Sequence, residues 1–85
     1  MNNQNSKPER AHIERIKEMP CAVCNAPAPS DAHHIRQSSA YLCIPLCKDC
    51  HQNPKLGIHG QKVAWNIRKM DELDALAITI RRLVA

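Results

Sequence analysis

Apolar positions along the chain fall into three regimes. In residues 7–18, Ile13 and Ile16 stand three apart in a polar stretch, which predicts a short helix with one narrow buried face. Ser6, Pro8 and Glu9 supply its start: a hydroxyl N-cap, a proline in the first turn and the acid that completes a capping box. Pro20 stops it. From Cys21 to Cys50 helical periodicity gives way to turns. Residues 25–30, with Pro27 and Pro29, read as an extended loop. Residues 31–36 and 41–46 read as two short strands, the second mostly apolar and confined by Pro45 to an edge or a strand end. Residues 49–52 can begin a helix, which Pro54 and Gly57 keep short. After Gly60 the pattern is helical again, with Val63, Ala64, Ile67 and Met70 on one face. Asp71 is the expected N-cap of a last helix whose apolar positions Leu73, Leu76, Ala77, Ile80 and Leu83 keep the three-four spacing.

At 85 residues the chain has room for one domain, expected over residues 7–85 behind a disordered polar tail, residues 1–6. Its core is expected over residues 20–60, with C-terminal helices in 61–84. Tyr41 and Trp65 are its whole aromatic complement, so the core is small and needs a staple. Trp65 is expected in the core or at an interface. No apolar run approaches the ~20 residues of a membrane helix, and the polar start carries no signal segment. The expected location is the cytoplasm, where paired cysteines read as metal ligands sooner than as disulfides.

Five cysteines and five histidines supply the staple. Cys21 and Cys24 form one CxxC pair and Cys47 and Cys50 a second, with 22 residues between the pairs. Two intervening residues allow a knuckle that aims both sulfurs at one point. Two knuckles give the four thiolates of a tetrahedral Zn2+ site. A redox CxxC, two disulfides, or His51 in place of Cys50 as the fourth ligand are the alternatives. Four thiolates leave no open position, so this zinc would be structural. Cys43, between Leu42 and Ile44, reads as a small buried hydrophobe. The formal charge is +4; four thiolates and one Zn2+ together carry −2 and bring it to +2. A mild basic excess is compatible with nucleic acid.

Four of the five histidines crowd the same region: His33, His34, His51 and His59. Adjacent histidines suit a division of labour, one ligating a second divalent ion and one acting as a base near neutral pH. A regular strand would send His33 and His34 to opposite faces. On one straight helix His51 and His59 would stand ~12 Å apart, unless Pro54 and Gly57 let the chain fold back. His59 could instead be a loop residue bonded to backbone. His12 lies away from the group, as a structural or surface residue.

The order of these residues resembles a known family. CxxC, then His33-His34-Ile35, then Ile44-Pro45-Leu46-Cys47-x-x-Cys50-His51 is similar to the HNH or ββα-metal-finger nucleases, and most resembles phage recombination-enhancement (Ref-type) nucleases. The likeness covers residues 20–60. It implies a small zinc-stapled α+β fold in which a β-hairpin and a helix (the His-Me finger) clasp one catalytic divalent ion, with flanking N- and C-terminal helices. By that resemblance His34 is the general base, and His33, His51 and His59 hold the catalytic ion. The family's middle Asn has no counterpart, since Ala40, Tyr41 and Leu42 occupy its region. The implied activity is metal-dependent hydrolysis of DNA phosphodiesters, in phage-related recombination or DNA processing. Arg36, Lys48 and Lys55 are the expected phosphate contacts, and Lys62, Arg68, Lys69, Arg81 and Arg82 could extend the track. A histidine cage favours Mn2+, Ni2+ or Zn2+ over Mg2+, which prefers oxygen. Expected partners are DNA, with a homodimer or a recombination protein possible, and no membrane. A non-catalytic zinc-finger module, binding DNA or a protein, is the alternative.

Overall fold

The computed structural model describes residues 5–85. Residues 1–4 of the expected tail lie outside the described residues. The order is α1 (Lys7–Lys17), β1 (Asp31–His34), β2 (Cys43–Leu46), α2 (Lys48–Gln52), α3 (Val63–Ile67) and α4 (Glu72–Val84). Among the described residues this is an α+β architecture with one two-stranded antiparallel hairpin. No helix among the described residues is long and apolar enough to cross a membrane.

Local chemistry explains the two long helices. Ser6 Oγ accepts from the Glu9 N–H at 3.3 Å and Glu9 Oε1 accepts from the Ser6 N–H at 2.7 Å, the reciprocal box that ties down two otherwise orphaned donors. Asn5 also belongs to this start, because its carbonyl accepts from Arg10 at 2.7 Å. α4 opens on a second box, with Asp71 and Asp74 each capping the other's backbone N–H at 2.9 Å. α1 is joined to the hairpin by Ser30, whose N–H and hydroxyl donate to the carbonyls of Lys17 and Met19.

The hairpin pairs Asp31 with Leu46, Ala32 with Pro45, His33 with Ile44 and His34 with Cys43. It is shorter than the expected strands because the chain bends at Ile35 and turns through residues 37–42. All four β2 residues are buried, so β2 is the centre of the molecule. The Pro45 carbonyl accepts from the Ala22 N–H at 2.9 Å, which binds the first cysteine knuckle to the hairpin. Around β2 lie Cys21, Val23, Cys50, Ala64, Trp65 and Ala75. Trp65 is in the core, 1 % exposed, and its indole N–H donates to the Cys50 carbonyl at 2.9 Å.

The C-terminal helices keep part of their expected faces, with Ala64 buried and Met70 and Leu76 packed on the core, and turn other expected positions outward. α3 buries Ala64 and Trp65 and leaves Ile67 73 % exposed. α4 buries Ala75 and Thr79, while Leu73 and Ile80 lie at the surface, 67 % and 49 % exposed. Two ties hold α4 in place. Glu72 meets His33 in the hairpin. Arg82 donates to the Pro20 carbonyl at 3.2 Å and to Asn25 Oδ1 at 3.1 Å. Small residues on the inward stripe let the helix approach β2 closely, and Thr79 returns its hydroxyl to the Ala75 carbonyl at 2.8 Å.

Candidate metal centres

Among the described residues two groups of ligand atoms draw on α2, one through Cys50 and its N-cap Cys47, the other through His51. The first is Cys21, Cys24, Cys47 and Cys50, whose sulfurs all lie within 4.8 Å of one another. Each pair turns through a knuckle closed by an N–H···S bond. The Val23 N–H points at Cys21 Sγ and the Cys50 N–H at Cys47 Sγ, both at 3.4 Å. Cys24 and Cys47 sulfurs approach to 3.6 Å, against ~3.8 Å expected across a tetrahedron with Zn–S bonds of ~2.3 Å. All five cysteines are free thiols. These four could hold a zinc ion, with every coordination position filled by sulfur. Burial, with the neighbouring Cys21 charge, pushes the Cys50 thiol upward; a divalent cation at the centre reverses that penalty by binding the thiolates. Cys43 stands outside the group, fully buried, its thiol pushed up to about 11 by burial alone. It packs as a hydrophobe, as its apolar neighbours imply.

The second group is His33, His51 and His59. Their ring centroids form a near-equilateral triangle of 5.0, 5.1 and 4.9 Å. One ring nitrogen of each lies within 4.8 Å of the others. The three come from β1, from α2 and from the segment that folds back after α2. His33 is 7 % exposed at the floor, His51 is half-buried, and His59 is exposed, so the group opens to solvent on the His59 side.

The fold-back brings residues eight apart in sequence into ring contact. Asn53 ends α2 and its side-chain carbonyl accepts from the Lys55 and Leu56 N–H groups at 2.9 and 3.0 Å, an Asx-type turn. Gly57 then passes directly over the end of α2, and the His59 N–H reaches the His51 carbonyl at 3.2 Å. A β-carbon at Gly57 would stand 2.7 Å from the His51 carbonyl oxygen and 2.9 Å from the Asn53 nitrogen, both backbone atoms with no freedom to yield. Gly57→Ala is therefore expected to separate His59 from His51 and weaken binding of a divalent ion by ten-fold or more, with the thiolate site still loaded. Calorimetric titration with Mn2+ on zinc-loaded protein measures this; unchanged affinity would contradict the fold-back account.

Two carboxylates that the sequence reading did not single out hold the imidazoles from outside. Asp31 Oδ2 accepts from His51 Nδ1 at 2.9 Å and its other oxygen accepts from Lys48 Nζ at 2.7 Å. The hydrogen bonds from Lys48 and His51 hold the Asp31 carboxyl below its ordinary range. Glu72 Oε2 meets His33 Nε2 at 2.6 Å. Burial depresses the His33 pKa below the ordinary imidazole value, which favours the neutral, ligating form. Outer carboxylates that orient ligating imidazoles are the usual supporting shell of a metal site. Asp31 is two residues before His33, so strand alternation alone put both on one face; nothing local pointed to Glu72.

Comparison with protein-family models, with curated proteins and with solved structures finds no match.

The remaining expected site residues lie outside the triad, and of these Lys48 reaches it through Asp31. His34 ends β1, and alternation turns it from the face that carries Asp31 and His33; its ring is not one of the three in contact. It is half-buried and, among the described residues, its ring makes no hydrogen bond. Arg36 and Lys55 are exposed. Lys48 is exposed but occupied by Asp31, and Arg68 donates to the Ala64 carbonyl. Arg82 is committed to Pro20 and Asn25. His12 packs on Tyr41, ring centroids 5.0 Å apart, remote from both groups in sequence.

Proposed function

We propose that the chain is a zinc-stapled, divalent-ion-dependent DNA endonuclease of the ββα-metal-finger kind. The observation that carries this reading is the open imidazole triad of His33, His51 and His59 beside a closed tetrathiolate group. A zinc module that only scaffolds has no use for a second, solvent-facing ligand set. The hairpin followed by α2, with ligands drawn from β1 and α2, also agrees with a ββα finger.

In this reading Cys21, Cys24, Cys47 and Cys50 hold a structural Zn2+, and the triad holds the catalytic ion, its nitrogen donors suiting Mn2+, Ni2+ or Zn2+ ahead of Mg2+. When bound, that ion supplies Lewis-acid stabilisation of charge on the phosphate and the leaving 3′-oxygen. The protein's own residues do the rest. His34 takes the proton from an attacking water; among the described residues its ring makes no other hydrogen bond, and it is half-buried, so solvent reaches it. β1 ends at His34 and the chain bends at Ile35, so His34 stands at the edge of regular strand geometry, next in sequence to the triad's His33. Asp31 and Lys48 fix the His51 ring. Arg36 and Lys55 are exposed and, with no side-chain partner among the described residues, suit phosphates flanking the scissile one. Two aromatic residues in the whole chain, one of them buried, leave little for stacking on bases, so binding would follow the backbone with weak sequence preference.

The alternative, a non-catalytic zinc module that docks DNA or a protein, draws on the apolar outer side of α4, where Leu73, Ile80 and Val84 are exposed. Elemental analysis and plasmid nicking separate the two. The nuclease binds two ions per chain and converts supercoiled plasmid to nicked circles with Mn2+ or Mg2+. One ion per chain and no nicking with any of Mn2+, Mg2+, Ni2+ or Zn2+ would establish the module.

A further inference from the structure

The contact between His33 and Glu72 joins residues 39 apart and brings the last helix to the imidazole triad. Glu72 is the first residue of α4, held at that position by the Asp71–Asp74 box and by the seating of Ala75 and Thr79. Its side chain is 33 % exposed, and that of His33 8 %. A carboxylate only accepts, so at 2.6 Å the hydrogen in the neutral His33 ring sits on Nε2 and the lone pair on Nδ1. His51 is arranged the other way. Its Nδ1–H donates to Asp31, which leaves Nε2 as the ligating atom.

We propose that Glu72 is a positioning residue of the ion site: it locks His33 in the tautomer that offers Nδ1, so that the ion is held by Nδ1 of His33 and Nε2 of His51. This rests on reading the triad as an ion site. It also gives α4 a part in the site that the hairpin and α2 alone do not supply. Glu72 acts through His33 and touches neither substrate nor ion.

The test is a Co2+ titration of the zinc-loaded full chain, followed by visible ligand-field absorption, with zinc counted afterwards to verify that the thiolate site keeps its own metal. Glu72→Ala is expected to weaken Co2+ binding by about ten-fold or more, the range typical of an outer carboxylate, and to change the band shape as His33 loses its fixed orientation. Glu72→Gln, whose carbonyl still accepts from Nε2, is expected to stay within a few-fold of wild type with the band shape kept. Asp71→Ala disturbs the start of the same helix without touching His33 and is expected to keep the wild-type band shape. Wild-type affinity and spectrum in Glu72→Ala overturn the proposal. So does an Asp71→Ala variant matching Glu72→Ala in both readouts, which would make the effect one of helix docking. A Glu72→Gln variant as impaired as Glu72→Ala, with an altered spectrum, would make Glu72 a direct ligand and overturn the positioning role. Should wild type take up no Co2+ beyond its zinc, the ion-site reading itself falls, and this proposal with it.

Discussion

Cys47→Ser is expected to yield a chain with no cooperative thermal transition and one fewer zinc per molecule. Cys47 does two jobs: its sulfur stands 3.6 Å from Cys24 Sγ, and it caps α2 by accepting from the Cys50 N–H. Serine is among the best N-caps, so the substitution keeps the cap and removes only a soft ligand. The cost therefore reports the metal. Structural zinc sites contribute ~10–16 kcal/mol of apparent binding free energy at neutral pH, whereas domains are stable by about 5–15 kcal/mol in all, small ones near the lower end. The core offers little to offset the loss, because Cys21 and Cys50 are themselves part of it. Far-ultraviolet circular dichroism on heating checks the prediction, and a strong chelator added to wild type is expected to reproduce it. Cys43→Ala is the control. It removes a buried thiol outside the ligand group and is expected to melt cooperatively with its zinc retained. A zinc-free Cys47→Ser protein that melts like wild type would show that the sulfurs do not staple the fold.

His34→Ala is expected to lower plasmid nicking by ~10²–10⁴-fold, the usual worth of a positioned general base, while both ions stay bound. The pairing with His33→Ala makes the prediction specific. His33 lies in the triad and His34 does not, so His33→Ala is expected to lose the second ion together with activity. His34→Ala is expected to lose activity alone. Equal nicking by His34→Ala and wild type at matched metal occupancy would remove His34 from the role of base. Loss of the second ion in His34→Ala would instead move it into the ligand set. Either result bears on the alternation of β1, which turns His33 and His34 to opposite sides.

Several elements were legible because their signals are local. The partners of each capping box and of each cysteine knuckle stand three positions apart, so Ser6 with Glu9, Asp71 as a cap, and the CxxC pairs follow from local spacing. Pro54 and Gly57 likewise announced a chain that cannot continue α2. The faces of the later helices were not legible in the same way. Leu73, Leu76, Ala77, Ile80 and Leu83 make a good apolar stripe, yet α4 turns Ala75 and Thr79 inward and leaves Leu73 and Ile80 in solvent. An apolar period says that a helix can bury a face. Which face is buried depends on partners: here Glu72 reaching His33 and Arg82 reaching Pro20 and Asn25 across 62 and 57 residues.

The amino-acid sequence alone determined that four thiols arranged as two knuckles meet, that a short hairpin lies between them, and that imidazoles gather nearby. Each knuckle follows from turn chemistry over a few residues; the meeting of the two pairs, with 22 residues between them, was read from their combined pattern, and the hairpin from the family resemblance. The family resemblance named His33, His51 and His59 as a ligand set and left His34 out; the tertiary structure supplied the contact among those three rings and the carboxylates of Asp31 and Glu72 that hold two of them. Those are relations between β1, α2, the fold-back and α4, and their directions are set when the elements pack against β2.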